Sequence, residues 1–298
     1  MSLQGKIEKL LGETSARFGV SIRHLQSGEE VRIRADERFQ MASVFKVPIL
    51  LSLYEQVHEG RIDLTTRVAL TKEERVPGSG ILQELDPGLP VTIKDLATLM
   101  TIVSDNMATD VLLGMLGKED VQETMKRIGA ENISIVHSCW ELLSLAVGMD
   151  PVPYSEESWK QLNERLEMDV DEESGKENLV MRTDLENNLC TPDDMTAILT
   201  KLAEGAFIDP AVSGAVLDIL YRQQLNDRIP GRLPAGMPVA HKTGTIASAI
   251  NDAGIIGLPG GKGPLVVSIF SADNPTTESG EAVIARIAET AYRHFTES

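Results

Sequence analysis

Three residues on from Ser43 stands Lys46, inside the run Met41-Ala42-Ser43-Val44-Phe45-Lys46-Val47-Pro48-Ile49-Leu50-Leu51-Ser52-Leu53. If this run is helical, the hydroxyl and the amine share one face and are neighbours. Almost every other residue is apolar, on all sides of a helical wheel, as in a helix that passes through the middle of a domain. Lys46 is therefore expected to be buried. Taking an ammonium out of water disfavours its charge and lowers its pKa, so the neutral amine can accept the serine proton. Unpaired backbone N–H groups at the start of the helix would hold a developing oxyanion. The pattern predicts a nucleophile with its own base. Ser-x-x-Lys alone occurs by chance in many proteins. The unusual feature is the lysine in an apolar helix, because buried lysines are rare unless paired.

Such a site needs a large, ordered scaffold, and composition allows one. A length of 298 residues with 42% hydrophobic and 24% charged residues is ordinary for a globular chain and carries no disorder signature. The formal net charge of −17 argues against nucleic acid or an anionic membrane surface as partner, since both would repel it. No run approaches a membrane span, and the first residues lack the charged and apolar regions of a signal peptide. The chain as written reads as soluble, with its native compartment left open. Two cysteines, Cys139 and Cys190, and five histidines without helical ligand spacing predict no metal site.

The elements that would position Ser43 and Lys46 fall into three blocks. Residues 5–16 read as an amphipathic helix, and 19–25 and 30–34 alternate with period two around Ser27-Gly28, a hairpin signal. From Ser43 to about residue 203 helical patterns dominate. Thr92-Ile93-Lys94-Asp95 resembles a capping box, helical periodicity resumes at Asn106 after a break at Ser104-Asp105, and Pro192 suits a first helical turn. Strand patterns return at 239–246, 252–258 and 265–270, followed by a helix over 280–294. The predicted fold is a single α+β domain, an α/β/α sandwich. Residues 1–38 and 230–298 build one antiparallel sheet of about five strands flanked by terminal helices; 39–229 form an inserted all-helical subdomain. Residues 149–188, acidic and largely without pattern, read as a solvated surface excursion. The site is expected where sheet and helical block meet.

Two further triplets follow Ser43-x-x-Lys46 in order: Ser104-Asp105-Asn106 in the helical break and Lys242-Thr243-Gly244 on the first C-terminal strand. Each is common alone; the ordered set on these elements is far more specific. The chain resembles the class A β-lactamase and penicillin-binding serine hydrolase group over nearly its whole length. The resemblance implies that Ser43 is the acylated nucleophile and Lys46 its proton acceptor. Ser104 would relay a proton to the leaving nitrogen, and Asn106 would hold the substrate's side-chain amide. Lys242, Thr243 and Gly244 would form the strand that binds the substrate carboxylate, and the amides of Ser43 and Thr245 the oxyanion hole. It implies a small-molecule substrate, a β-lactam or a D-Ala-D-Ala-like peptide, and calls for no cofactor. A penicillin-binding D,D-peptidase or esterase, or a protein that acylates and then stalls, stands as the alternative.

By the same resemblance, Glu141 in Trp140-Glu141 is the candidate base for hydrolysing the acyl-enzyme. The surroundings depart from the family: Leu142 replaces the usual proline, and Leu145 the water-holding asparagine. Cys139 and Asn188 fall where the family places an arginine and an aspartate that tie the two ends of this loop together, so that ion pair cannot form. Two closures remain open. A Cys139–Cys190 disulfide would contribute about 4 kcal/mol by chain entropy; otherwise the two thiols stay reduced as small buried hydrophobes.

Overall fold

Stretches from opposite ends of the chain carry the apolar runs that a sheet covered on both faces requires, and they meet in one five-stranded sheet. The computed structural model describes residues 1–167 and 178–297. The helices are α1 (Leu3–Leu11), α2 (Lys46–His58), α3 (Ile93–Ile102), α4 (Asn106–Leu116), α5 (Lys118–Arg127), α6 (Cys139–Ala146), α7 (Glu156–Glu167), α8 (Pro192–Ala203), α9 (Pro210–Leu220) and α10 (Thr277–Thr296). The strands are β1 (Arg17–His24), β2 (Glu30–Ile33), β3 (Phe39–Gln40), β4 (Arg67–Ala69), β5 (Pro90–Thr92), β6 (Leu189–Cys190), β7 (Val239–Ile246), β8 (Ala249–Gly257) and β9 (Pro264–Ala272). The main sheet runs β2-β1-β9-β8-β7, antiparallel throughout, so β7 is an edge.

One face of the sheet closes a core with α1 and α10, where Ile7, Val20, Ile269, Ile284 and Ile287 are buried. The other face packs on the helical block through α8, whose N-terminus is set by Thr191 capping the Asp194 amide and Pro192 in the first turn. These layers are the expected α/β/α sandwich, and the Thr92–Asp95 capping box starts α3.

Two expectations need correction. The acidic excursion contains α7, whose Leu162 is fully buried and whose first turn carries Glu156 and Glu157, favourable at the positive end of a helix. One buried leucine in a charged helix leaves almost no apolar stripe to read. The run from Met168 to Glu173 lies outside the described residues. The second correction concerns the block over 39–229, which is not all-helical, since β3, β4, β5 and β6 lie within it. At the neck of the excursion the reduced alternative holds, with Cys139 and Cys190 both free and buried. Cys190 is in β6 opposite Phe39, and Cys139 starts α6, directed elsewhere. Asn188 closes the neck instead. Its Oδ1 accepts from the amides of Val136 and His137, both at 2.8 Å, and its Nδ2 donates to the His137 carbonyl at 2.8 Å. A bridge between Ser134 and Leu189 continues the closure.

Asn188→Ala leaves two amides without their acceptor, and should cost at least ~1 kcal/mol in urea unfolding. Asn188→Asp keeps that acceptor but turns a carboxylate oxygen toward the His137 carbonyl and buries its charge, so it too should destabilise. An alanine variant with an unchanged midpoint would show that the neck is held elsewhere.

Candidate active site

The serine does not open the α-helix itself. Ala42–Phe45 form a single 3₁₀ turn, and the α-helix begins at Lys46. The change sharpens the expected juxtaposition, because residues three apart eclipse in a 3₁₀ turn. Ala42, Val44 and Phe45 are buried, while Ser43 alone in the turn keeps partial exposure. Buried side chains from outside the turn fix it in place. Asn251 on β8 donates to the carbonyls of Gln40 and Met41 at 2.8 and 3.1 Å, and Gln40 Oε1 accepts from the Ala42 amide at 3.1 Å. The sheet therefore holds the chain immediately before the serine.

Lys46 and Lys242 are 1% and 0% exposed, and both amines converge on Ser104. Lys46 Nζ donates to the Ser104 carbonyl at 2.7 Å, to its hydroxyl at 3.0 Å and to Asn106 Oδ1 at 2.8 Å. Lys242 Nζ donates to the same hydroxyl at 3.0 Å and to the Thr243 carbonyl at 2.8 Å. Burial lowers the Lys46 pKa, only partly offset by Cys139, Asp110 and Asp105. Burial also puts Lys242 well below an ordinary lysine, and the nearby charges of Lys46 and Arg228 add to the effect. Both amines meet at the Ser104 hydroxyl, so charge on one disfavours charge on the other.

Ser104 is aimed by its backbone, which adopts φ +59°, a left-handed conformation unusual for serine. The break that imposes it is locked by Asp105. One carboxylate oxygen caps α4 at the Ala108 amide at 2.9 Å, and the other accepts from Ile81 and Leu82 at 2.7 and 2.9 Å. Gly80 is needed there, since a Cβ would come within 2.4 Å of the Asp105 carboxyl carbon.

The edge strand completes the cluster. At Gly244 a Cβ would lie 2.7 Å from the Met41 carbonyl and 3.0 Å from the Ser43 amide, so only glycine lets β7 lie against the serine turn. Thr243 is buried and Thr245 exposed. Arg228 was not foreseen from the sequence. Its guanidinium donates to the Gly244 and Asn251 carbonyls at 2.8 and 2.7 Å and to the Thr245 hydroxyl, and pairs with Glu281 at 3.3 Å. An isolated arginine in a loop before the strand carries no local signal for this contact.

With this geometry in view, the comparisons decide the family. The model of the Beta-lactamase enzyme family matches residues 2–295. The chain belongs to that family. Beta-lactamase VEB-1 and extended-spectrum beta-lactamase PER-1, both of Pseudomonas aeruginosa, are each 26% identical to it; the alignments cover 97% and 98% of this chain and 89% and 86% of theirs. Among solved structures, a beta-lactamase from Sphaerobacter thermophilus DSM 20745 is 26% identical with a TM-score of 0.79, covering 99% of this chain and 97% of its own. PBP-A is 25% identical with a TM-score of 0.78, covering 99% and 96%.

Ser43, Lys46, Ser104, Asn106, Lys242, Thr243, Gly244 and Thr245 are thus brought to one place; among the residues the family resemblance nominated, Glu141 is the exception. At 100° per residue, Cys139 and Glu141 lie ~200° apart on α6. The face of α6 that meets α4 carries Cys139 and Leu142, both buried, with Leu143 beside Gly78 and Asn106. Glu141 turns the other way. Its carboxylate accepts from the Ser138 amide at 2.7 Å in a capping box and pairs with Lys118 at 2.6 Å. Burial alone would raise this carboxyl, but Lys118 and the Ser138 amide outweigh it and hold it below the usual glutamate value. The carboxylates that Lys46 does sense are Asp105 and Asp110; the latter, one turn beyond Asn106, accepts from the amides of Cys139 and Trp140 at 2.7 and 2.9 Å. Burial raises the Asp110 carboxyl and pushes the neighbouring Cys139 thiol far up, so the thiol stays protonated.

Gly244→Ala should slow acylation by a β-lactam about 10²-fold, the scale of a misplaced reacting group, while the circular dichroism spectrum is retained. An unaltered acylation rate would mean that β7 does not set the position of Ser43.

Proposed function

We propose that this chain is an active-site serine hydrolase of the class A β-lactamase type, opening the β-lactam amide through an acyl-enzyme on Ser43. The observation that carries the reading is the buried Lys46 amine, on the residue that ends the Ser43 turn, joined to Ser104 and Asn106. In this reading Ser43 Oγ attacks the lactam carbonyl as its proton passes to Lys46. The new C–O bond forms, the C–N bond breaks, and the Ser104 hydroxyl returns a proton to the leaving nitrogen. The amides of Ser43 and Thr245 hold the oxyanion. Lys242 and Thr243 bind the substrate carboxylate, and Arg228 adds positive charge behind Thr245. Asn106, which joins the Lys46 amine to the Pro77 carbonyl, is the residue this reading gives to the side-chain amide.

Hydrolysis of the ester requires an activated water. The contacts of Glu141 favour a cap over a base, and the opposing face of α6 offers Cys139, Leu142 and Leu143. This favours deacylation as the slow step and keeps a penicillin-binding peptidase as the second reading.

Intact mass after mixing with penicillin G should show one adduct in the wild type and none in Ser43→Ala; a labelled alanine variant would refute the nucleophile. Glu141→Gln should leave the decay of that adduct within about twofold. A longer-lived adduct in the glutamine variant, by the ~10²-fold or more typical of losing a general base, would restore Glu141 as that base.

A further inference from the structure

The loop that carries Arg228 to the edge strand is braced by two side chains outside the reacting cluster. His241 on β7 and Asp252 on β8 are both fully buried. His241 Nδ1 meets the Asp252 carboxylate at 3.0 Å, and its Nε2 meets Asn226 Oδ1 at 3.2 Å. Asp252 Oδ2 also accepts from the Ile229 amide at 3.0 Å. A glycine makes room for the ring: Gly254 stands directly across from His241, and a Cβ there would come within 2.4 Å of the histidine Cβ. Burying a carboxylate and an imidazole is unfavourable unless both are hydrogen-bonded, and here their remaining partners belong to one loop.

The two points of attachment, Asn226 and Ile229, bracket Arg228. Asn226 Nδ2 donates to the Gln223 carbonyl at 3.2 Å, which turns its oxygen to the imidazole. From between these anchors the Arg228 side chain reaches β7 with all its N–H groups engaged. Two go to the Gly244 and Asn251 carbonyls, one to the Thr245 hydroxyl, and Nε and Nη2 both face Glu281 at 3.3 Å. A guanidinium cannot accept a hydrogen bond, so the Thr245 oxygen accepts and its own hydrogen turns to another partner. Thr245 is exposed, two residues along the edge strand from Thr243 and on the same side. Its hydrogen is therefore available to a substrate carboxylate. A pose with every donor assigned tolerates little movement of the backbone beneath it, since misplacement by about 1 Å is enough to impair a site.

We propose that Asp252 is a positioning residue for recognition of the substrate carboxylate: with His241 it fixes the loop over 226–229, and thereby the guanidinium that orients the Thr245 hydroxyl. Neither Asp252 nor His241 touches substrate; both act through Arg228. This inference rests on the proposed function, since it takes Ser43 as the acylated residue and Arg228 as part of the group that meets the carboxylate.

The test compares penicillin G with its methyl ester, which lacks the carboxylate charge, and the readout is the ratio of their second-order rates of Ser43 acylation. Asp252→Ala should lower this acid-to-ester ratio roughly tenfold, the scale of losing a charge-assisted hydrogen bond. The ester rate should stay within about twofold, which also reports that the variant is folded. Asp252→Asn keeps an oxygen for the Ile229 amide and an N–H for the ring, and should restore most of the ratio. Arg228→Gln should lower the ratio at least as far, and adding Asp252→Ala to it should change the ratio no further. If Asp252→Ala does not fold, Asn226→Ala, at an exposed position, takes its place and should move the ratio in the same direction. Equal slowing of acid and ester, an unchanged ratio, or losses that add fully to those of Arg228→Gln overturn the positioning role. A ratio unmoved by Arg228→Gln overturns it too, while labelling of Ser43 by penicillin G would still support the hydrolase reading. If penicillin G does not label Ser43 in the wild type, that reading fails and the inference with it.

Discussion

Burying two lysine amines against one serine hydroxyl is unfavourable by itself, and the rest of the structure is arranged so that it can happen. The Ser104 hydroxyl and carbonyl, Asn106 and the Thr243 carbonyl supply the oxygen acceptors that these amines lose on leaving water. Those acceptors come from a helical break, the helix start two residues on, and an edge strand far away in sequence. A shift of any one costs a buried amine one of its acceptors. The same burial weakens their hold on protons, with the charge of Lys46 adding to the effect on Lys242, so the constraint on the fold also gives Lys46 the property its chemistry requires.

The second layer of the design keeps these elements in register. Asp105 ties the break to the loop over 81–82, Asn251 ties the sheet to the chain before Ser43, and Gly244 lets the edge strand approach. Each lacks either a side chain of its own or a free polar group, because its capacity is spent on backbone. Such residues position the reacting groups without touching substrate, and their loss would be felt as misplacement.

Much of this was legible in the sequence. A lysine inside an apolar helix announced itself by violating the usual sorting of charge to the surface, and the ordered triplets marked the break and the strand. β7 begins and ends, and α4 begins, where their patterns predicted, because strand alternation and an N-cap are local signals. What escaped depends on long-range direction. Glu141 is near the expected place in sequence, yet the two-residue step from Cys139 rotates it to the opposite face of α6, where Lys118 pairs with it. Arg228 reaches Gly244 and Thr245 from a loop whose composition gives no hint of that contact. The neck was read as a choice about cysteines, whereas one asparagine amide closes it with three hydrogen bonds.

The central claim is that a neutral Lys46 takes the Ser43 proton, and the pH dependence of Ser43 acylation by penicillin G tests it most directly. Burial lowers the Lys46 pKa, so acylation should rise with pH and reach half its plateau below the ordinary lysine value of 10.5. Lys46→Arg, which stays charged, should lose that rise. A wild-type rise centred at or above 10.5, or an arginine variant that acylates at the wild-type rate, would contradict the account.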